Sequence, residues 1–499
     1  MAVDADVCMI VEGGYPYIVG GVASWADAFM RASPQLRFHI IAISVSSQSR
    51  RPSYALPENV VGITDILLDV CPPGVTPNRR GQQQVERLIS LLQTSVISGD
   101  GSVFEQFIKH LLATGYGQTA LLDSKAGWLA MEAAYAELLP SSPLLDFFWS
   151  WRFLLRSVLA IARTPLPQVR VFHAAGTGFS GLAAACARIA TGRPFLLTEH
   201  GIYTNERRID LAVSDWLFES GAGGFAISAR PSELRSTWMN AFQSFSRISY
   251  AMADVITTQY RTNQIFQCSD GAAESKLRII PNGIDADKFS SLARNTAPRR
   301  PTVLLIGRIV PIKDIRTFIM AIALLKDLVP NALGIIIGPE GEDPGYAAGC
   351  RQLVDQLGAA SSIDFLGRVP DVMEYLLSAD VLALSSISEA QPIAVLEAAA
   401  TGLPVVSTDV GSCREIIEGF EGDPVKGAGG SVVAPCNPKE MAEALAVILL
   451  DDRKRAEMGD VMRRRAANYY HKDRVKGLYE ALYAELQTSP PQPQQVKLS

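Results

Sequence analysis

Short apolar runs of the strand type alternate with helical stretches along most of this chain, and that alternation leaves few folds open. Parallel strands need a crossover, usually a helix, so repeated strand–helix pairs predict parallel sheets covered on both faces. In the first half the runs are residues 7–11, 38–43, 169–172, 195–198 and 255–257; in the second they are 303–306, 333–337, 363–366, 381–384, 405–407 and 431–433. The polar, proline-bearing stretch Asn295 to Pro301 lies between the halves and reads as a linker. The expected class is α/β, with two Rossmann-like, doubly wound parallel-sheet domains at 1–294 and 295–462. Mostly helical sequence at about 71–167 reads as an insertion after the second strand of the first domain. Residues 463–487 read as a C-terminal helix crossing back to that domain, and the Pro/Gln-rich segment 488–499 reads as a disordered tail.

Composition removes several classes of function. A net charge of −5 over 499 residues supplies no basic field, so nucleic acid is not an expected partner. The seven cysteines are odd in number, scattered and without a Cys-x-x-Cys pair, which suggests neither a disulfide framework nor a zinc site and fits a reducing cytoplasm. Asp4 and Asp6 precede the first strand where a secretory signal would carry basic residues, and no apolar run has bilayer length. The expected localisation is cytoplasmic, with any place at the inner membrane reached through a partner. Residues 144–162 crowd Phe147, Phe148, Trp149, Trp151 and Phe153 beside Arg152, Arg156 and Arg163. They read as a helix buried between layers with its arginines at the edge; the alternative is an amphipathic helix resting on a membrane or on a membrane partner.

Chemistry concentrates in Ser388-Glu389-Ala390-Gln391-Pro392-Ile393-Ala394-Val395-Leu396-Glu397. Pro392 suits the first turn of an apolar helix that Gly402 and Pro404 end, so Glu389 and Glu397 can both face one ligand. Free N–H groups of Gln391, Ile393 and Ala394, on either side of Pro392, would place the positive end of the helix dipole beside Glu389, an arrangement suited to a sugar carrying a phosphate. The second domain opens with a strand followed by Gly307-Arg308 and Lys313-Asp314, so Arg308 and Lys313 are expected at the strand's carboxyl end, where two cations could neutralise a diphosphate. Near the start, Gly20 and Gly21 precede a helix and would let backbone N–H groups approach a phosphate. His173 and His200 follow strands and are expected to reach a cleft.

The Glu389-x7-Glu397 pair, Gly307-Arg308 with Lys313, and Ile280-Pro281-Asn282-Gly283-Ile284-Asp285 resemble the motifs of retaining GT-B glycosyltransferases of family four. The strings Tyr15-Pro16-Tyr17, Gly20-Gly21-Val22 with Trp25, and Thr198-Glu199-His200-Gly201-Ile202-Tyr203-Thr204 are similar to the PelF-like members that serve bacterial Pel exopolysaccharide synthesis. That resemblance implies two domains facing a cleft, a UDP-sugar donor, a growing polysaccharide acceptor, an inner-membrane synthase or transport partner, anomeric retention and no metal cofactor. It places Glu389 and His200 at the transferred sugar, Glu397 at the ribose, Arg308 and Lys313 at the diphosphate, and the 391–394 amides at the sugar. The sequence departs from the family at Gln391-Pro392 and at Asp314, where a Gly is common. Asp285-Ala286-Asp287 is not read as a metal-binding Asp-x-Asp, because no strand precedes it in the required way. Other readings are a nucleotide-sugar epimerase or phosphorylase on the same fold, a nucleotide-binding non-catalytic subunit of a membrane polysaccharide synthase and, last, a dehydrogenase, whose glycine fingerprint is absent.

Overall fold

Ala5–Glu12 is an almost unbroken run of buried side chains, as a strand covered on both faces requires. In the computed structural model, which describes residues 4–488 except 46–50, 73, 76, 78–80, 141, 213–232, 291, 293 and 295–299, it is β1 of a seven-stranded parallel sheet. The others are β2 (Phe38–Ser44), β3 (Val60–Leu67), β4 (Val169–Ala174), β5 (Phe195–Glu199), β6 (Val255–Thr258) and β7 (Leu277–Ile279), in the order β3-β2-β1-β4-β5-β6-β7. A second parallel sheet holds β8 (Thr302–Ile306), β9 (Leu333–Ile337), β10 (Ile363–Gly367), β11 (Val381–Leu384), β12 (Val405–Thr408) and β13 (Gly430–Val433), in the order β10-β9-β8-β11-β12-β13. Both orders reverse beside the first strand, between β1 and β4 and between β8 and β11. Such switch points leave a crevice beyond the carboxyl ends of the strands, where α/β proteins bind ligands.

The described chain divides into two compact units, one of residues up to Thr258, Asn263–Ile279 and the chain from Glu480, the other of Gln259–Thr262 and Ile280–Tyr479. The 295–301 linker lies largely, and the 488–499 tail almost wholly, outside the described residues. All eleven expected strands form, and two unexpected ones join the first sheet. One is β3, half-exposed and interrupted by Gly62 and Asp65, which hides it from a search for apolar runs. The other is the three-residue β7. The helical insertion therefore follows the third strand, not the second.

Among the described residues five helices make up that insertion, and the longest of them, Leu144–Ala162, has the bounds read from sequence. Phe147, Trp151, Leu154 and Val158 fill the core, Arg152 pairs with Asp123, and Arg163 Nη1 donates to Gly115 O at 2.8 Å and Tyr116 O at 3.0 Å. The interior-helix reading thus describes this segment, with its arginines working at the edge. Among the described residues no helix is long and apolar enough to cross a membrane. The expected single helix from 463 is instead the end of Asp452–Tyr469 and most of Lys472–Thr488. The chain breaks at Tyr470-His471 because Ile284 inserts there, donating its N–H to Tyr470 O at 2.7 Å and accepting from Lys472 N at 2.9 Å.

Candidate active site

The helix after β11 is Ile393–Thr401, and no side chain caps its start. Pro392 is its N-cap, in extended backbone at φ −72° and ψ 120°, and not within its first turn as the sequence suggested. Gly402, at φ +69°, ends it in the left-handed conformation that glycine adopts without strain. A partial positive charge from unsatisfied N–H groups therefore lies at Ile393 and Ala394, just after Glu389.

Glu389 follows β11 and Lys313 follows β8, so the two face each other across the second sheet's switch point. Lys313 Nζ donates to Glu389 Oε1 at 2.5 Å, and Ser386 Oγ donates to the same oxygen at 2.6 Å. Both charged side chains are largely covered, which strengthens their attraction relative to an exposed pair. The loop holding Glu389 is braced by Ser412 N–H, which donates to Ala390 O at 2.8 Å. At Gly411 any Cβ would lie 2.1 Å from that carbonyl oxygen, so only glycine fits.

Other expected residues are placed differently. Arg308 forms an exposed pair with Glu342 at 2.5 Å and is not joined to the Lys313–Glu389 pair. The Gln391 side chain is buried, and its Oε1 accepts the Asn282 N–H at 2.5 Å, so its carbonyl tethers the Pro281-Asn282-Gly283 segment. Glu397 is half-buried on the helix, and burial pushes its carboxyl up to about 7, opposed by Lys288 and aided by Asp371. Asp285 pairs with Lys472 and Asp287 with His471.

Asp314 explains one departure from the family pattern. It sits at φ +44°, where Gly is easiest, and its carboxylate caps Ile315–Leu328 by accepting from Thr317 N at 3.2 Å and Thr317 Oγ1 at 2.5 Å. Asp tolerates this region better than most residues, and the cap offsets the strain. Asp314→Ala is expected to lose the cap and keep the strain, lowering stability by about 1–2 kcal/mol. Asp314→Gly, which relieves the strain it uncaps, should stay within about 1 kcal/mol of the parent. Urea unfolding of both variants checks the order; equal losses would contradict this account.

In the first unit, Gly20 is the N-cap of Gly21–Ala32 in extended backbone, and nothing lies within 4 Å of a Cβ built at either glycine. The space over this helix start is open. His173 corrects an expectation: it is fully buried, its Nδ1 hydrogen-bonded with Tyr483 Oη at 2.7 Å and its Nε2 with Thr198 Oγ1 at 2.7 Å. Burial lowers its imidazolium pKa to about 3, and it serves the interior of this unit. His200 is half-buried, with the Trp25 ring edge-on at 4.5 Å, and burial lowers it to about 4, so the imidazole is neutral near pH 7. The sequence reading missed the carboxylates beneath it, Glu12 and Glu199, although both end strands that lead to the first sheet's carboxyl edge.

Comparison with known proteins agrees with this architecture. Residues 288–465 match the family described as Glycosyl transferases group 1, and residues 5–275 match the family described as Domain of unknown function (DUF3492). The chain is 27% identical over 247 residues to a D-inositol 3-phosphate glycosyltransferase of Corynebacterium jeikeium, covering 46% of this chain and 57% of the relative. It is 23% identical over 328 residues to an MMP alpha-(1->4)-mannosyltransferase of Mycolicibacterium hassiacum, covering 65% of this chain and 72% of that one. The chain spans about half the length of the first curated relatives it matches. Among solved structures, Anabaena HepE in complex with UDP superposes with TM-score 0.59 at 12% identity, over 96% of this chain and 100% of that one. Sucrose-phosphate synthase from Thermosynechococcus elongatus gives 0.58 at 16%, over 96% and 98%. At these identities the likeness shows the fold, which is GT-B: two Rossmann-like parallel-sheet domains. The chain belongs to the DUF3492 family, and its residues 288–465 match glycosyl transferases group 1.

Proposed function

We propose that this protein is a retaining, metal-independent glycosyltransferase that moves a hexose or N-acetylhexosamine from a UDP-sugar to a growing exopolysaccharide of the Pel type. The observation that carries the reading is the Lys313–Glu389 pair at the switch point, beside a helix start that no side chain caps. Incoming diphosphate is the stronger anion and draws Lys313 from Glu389, and Arg308 exchanges Glu342 for the same ligand. These cations and the helix dipole take the charge-neutralising part that a metal plays elsewhere. Released from Lys313, Glu389 accepts hydroxyl protons of the transferred sugar. Neutral His200, on the first domain, hydrogen-bonds that sugar, and exclusion of water protects the donor from hydrolysis.

The acceptor hydroxyl oxygen attacks C1 on the face that the diphosphate leaves. The new C1–O bond forms as the C1–O(phosphate) bond breaks, its electron pair goes to the phosphate oxygen, and that oxygen takes the hydroxyl proton. Glu397 binds the ribose, so no second carboxylate is left for a double displacement. Work in the cytoplasm beside an inner-membrane synthase partner follows from the Pel-type reading. The test is the anomeric configuration of the first product, read by proton NMR before mutarotation. Retention of the donor's configuration supports the front-face route, and inversion contradicts it.

Glu397 gives this reading a pH signature. Its carboxylate must be ionised to accept both ribose hydroxyls, but in the free protein it holds its proton up to about pH 7. UDP affinity should fall about tenfold per pH unit below 7 and level off above it. Folding responds with the opposite sign. Because the folded pKa is raised above the ordinary 4.5, this group's contribution to stability is fullest below about 4.5 and is lost as pH rises through about 7. Calorimetric titration with UDP from pH 5.5 to 8 checks the slope; the slope should vanish in Glu397→Gln. For Glu397→Ala the loss should fall mainly on nucleotide affinity.

A further inference from the structure

The turn that carries His200 is anchored at both ends by carboxylates. Glu199 is buried, and four donors from separate parts of the first unit converge on it. Tyr250 Oη lies at 2.7 Å, Gln267 Nε2 at 3.0 Å, Tyr203 N at 3.1 Å and Thr177 Oγ1 at 3.4 Å. Glu12, at the end of β1, accepts Phe179 N–H at 2.8 Å through Oε2 and Tyr203 Oη at 3.0 Å through Oε1. Tyr203 is thus held at its backbone by one carboxylate and at its hydroxyl by the other. Its ring lies so close to the start of the helix Gly178–Thr191 that a Cβ at residue 178 would stand 2.3 Å from it. Between Glu199 and Tyr203 the chain has only His200, Gly201 and Ile202. Glu206 folds back over Gly201, leaving a Cβ there 2.1 Å from its Oε1.

A buried carboxylate with four donors is an expensive way to stabilise a fold, since an apolar residue of similar volume fills space at lower desolvation cost. What the network does supply is a fixed direction for the three residues it spans. We propose that Glu199, seconded by Glu12 through Tyr203, is a positioning residue for sugar transfer. It holds the His200–Ile202 turn so that the imidazole, braced edge-on by Trp25, meets the transferred sugar in one orientation. This rests on the reading of His200 given above.

The experiment uses the full chain as parent, Glu199→Gln, Tyr203→Phe, His200→Ala and the Glu199→Gln/His200→Ala double variant. Each is assayed for UDP release from UDP-glucose, UDP-N-acetylglucosamine and UDP-N-acetylgalactosamine with an oligosaccharide acceptor, and for UDP affinity by calorimetry. In Glu199→Gln, an amide replaces one acceptor oxygen and faces donors. Its kcat should drop about 100-fold, the scale of a 1 Å misplacement, while UDP affinity stays within about twofold. Tyr203→Phe removes only the Glu12 link and should cost less, about tenfold. The double variant should be no slower than His200→Ala alone, because both changes remove one function. A purely structural role would weaken UDP binding, kcat and stability together, or give losses that multiply with His200→Ala. Either result overturns the proposal, as does an unchanged kcat in folded Glu199→Gln; should that variant fail to fold, Tyr203→Phe decides alone. A parent chain that binds no UDP removes the proposed function itself, and the positioning role with it.

Discussion

Lys313→Ala is expected to lower kcat/KM for sugar transfer about 10²–10³-fold, the cost of removing one preorganised charge from a developing anion. The effect is large because Lys313 has two tasks. In the free protein it compensates Glu389, whose carboxylate is mostly covered and also accepts from Ser386 Oγ. In the proposed transition state it faces the departing diphosphate. Lys313→Met keeps the side-chain volume and removes only the charge, so it shows whether both tasks rest on the charge rather than on packing. Both variants should weaken UDP binding and slow turnover by comparable factors. Glu389→Gln leaves Lys313 free for the diphosphate, so UDP affinity should hold or improve while kcat falls. Steady-state kinetics with UDP calorimetry read the contrast. If Glu389 variants lose nucleotide affinity and Glu397 variants lose turnover, the two carboxylates have been assigned in reverse; unchanged kinetics in both Lys313 and Arg308 variants would remove the phosphate role.

The largest loss of stability is expected at Arg465. Its guanidinium is 1% exposed, and all five of its N–H donors are used. Nε donates to Asp423 Oδ2 at 2.6 Å. Nη1 donates to Ile416 O at 2.8 Å and Ile417 O at 2.9 Å; Nη2 donates to Val425 O at 3.1 Å and Gly427 O at 3.0 Å. One side chain thereby ties the loop that precedes β13 to the helix Asp452–Tyr469. Arg465→Met keeps most of the volume but leaves Asp423 buried without its cation and four carbonyls without donors. About 3–5 kcal/mol should be lost, as for other buried pairs broken from one side. Arg465→Lys restores the charge but not the planar fork and should recover only part of it. Urea unfolding measures both; a loss under about 1 kcal/mol for Arg465→Met would mean that water replaces the guanidinium freely.

Much of this architecture was legible in the residues because buried parallel strands are written as apolar runs. Strands such as β1 and β11 have few polar residues to obscure them, whereas β3 sits at a sheet edge, carries Gly62 and Asp65, and was passed over. The break at Tyr470-His471 was hidden for a different reason. It comes from Ile284, distant in sequence, and no local signal marks it. In the candidate site, the sequence placed Lys313 at a strand's carboxyl end and Glu389 just before a helix start, and the structure brings those two side chains together. It did not foretell that Arg308 would pair with Glu342 or that the Gln391 carbonyl would be taken by Asn282, since side-chain partners depend on loop geometry. His173 and His200 look alike as strand-end histidines. Only packing separates them, one ring nitrogen meeting Tyr483 from the far end of the chain.

A nucleotide-sugar site built, as proposed, from Lys313, Glu389 and the uncapped helix start should work without metal. Calorimetric titration of the protein with UDP, with UDP-glucose, UDP-N-acetylglucosamine and UDP-N-acetylgalactosamine, and with NAD, each with and without Mg²⁺, tests it most directly. UDP should bind with the same affinity in both conditions, Lys313→Ala should weaken it, and NAD should give no heat of binding. Absence of UDP binding, or binding of NAD alone, would contradict it.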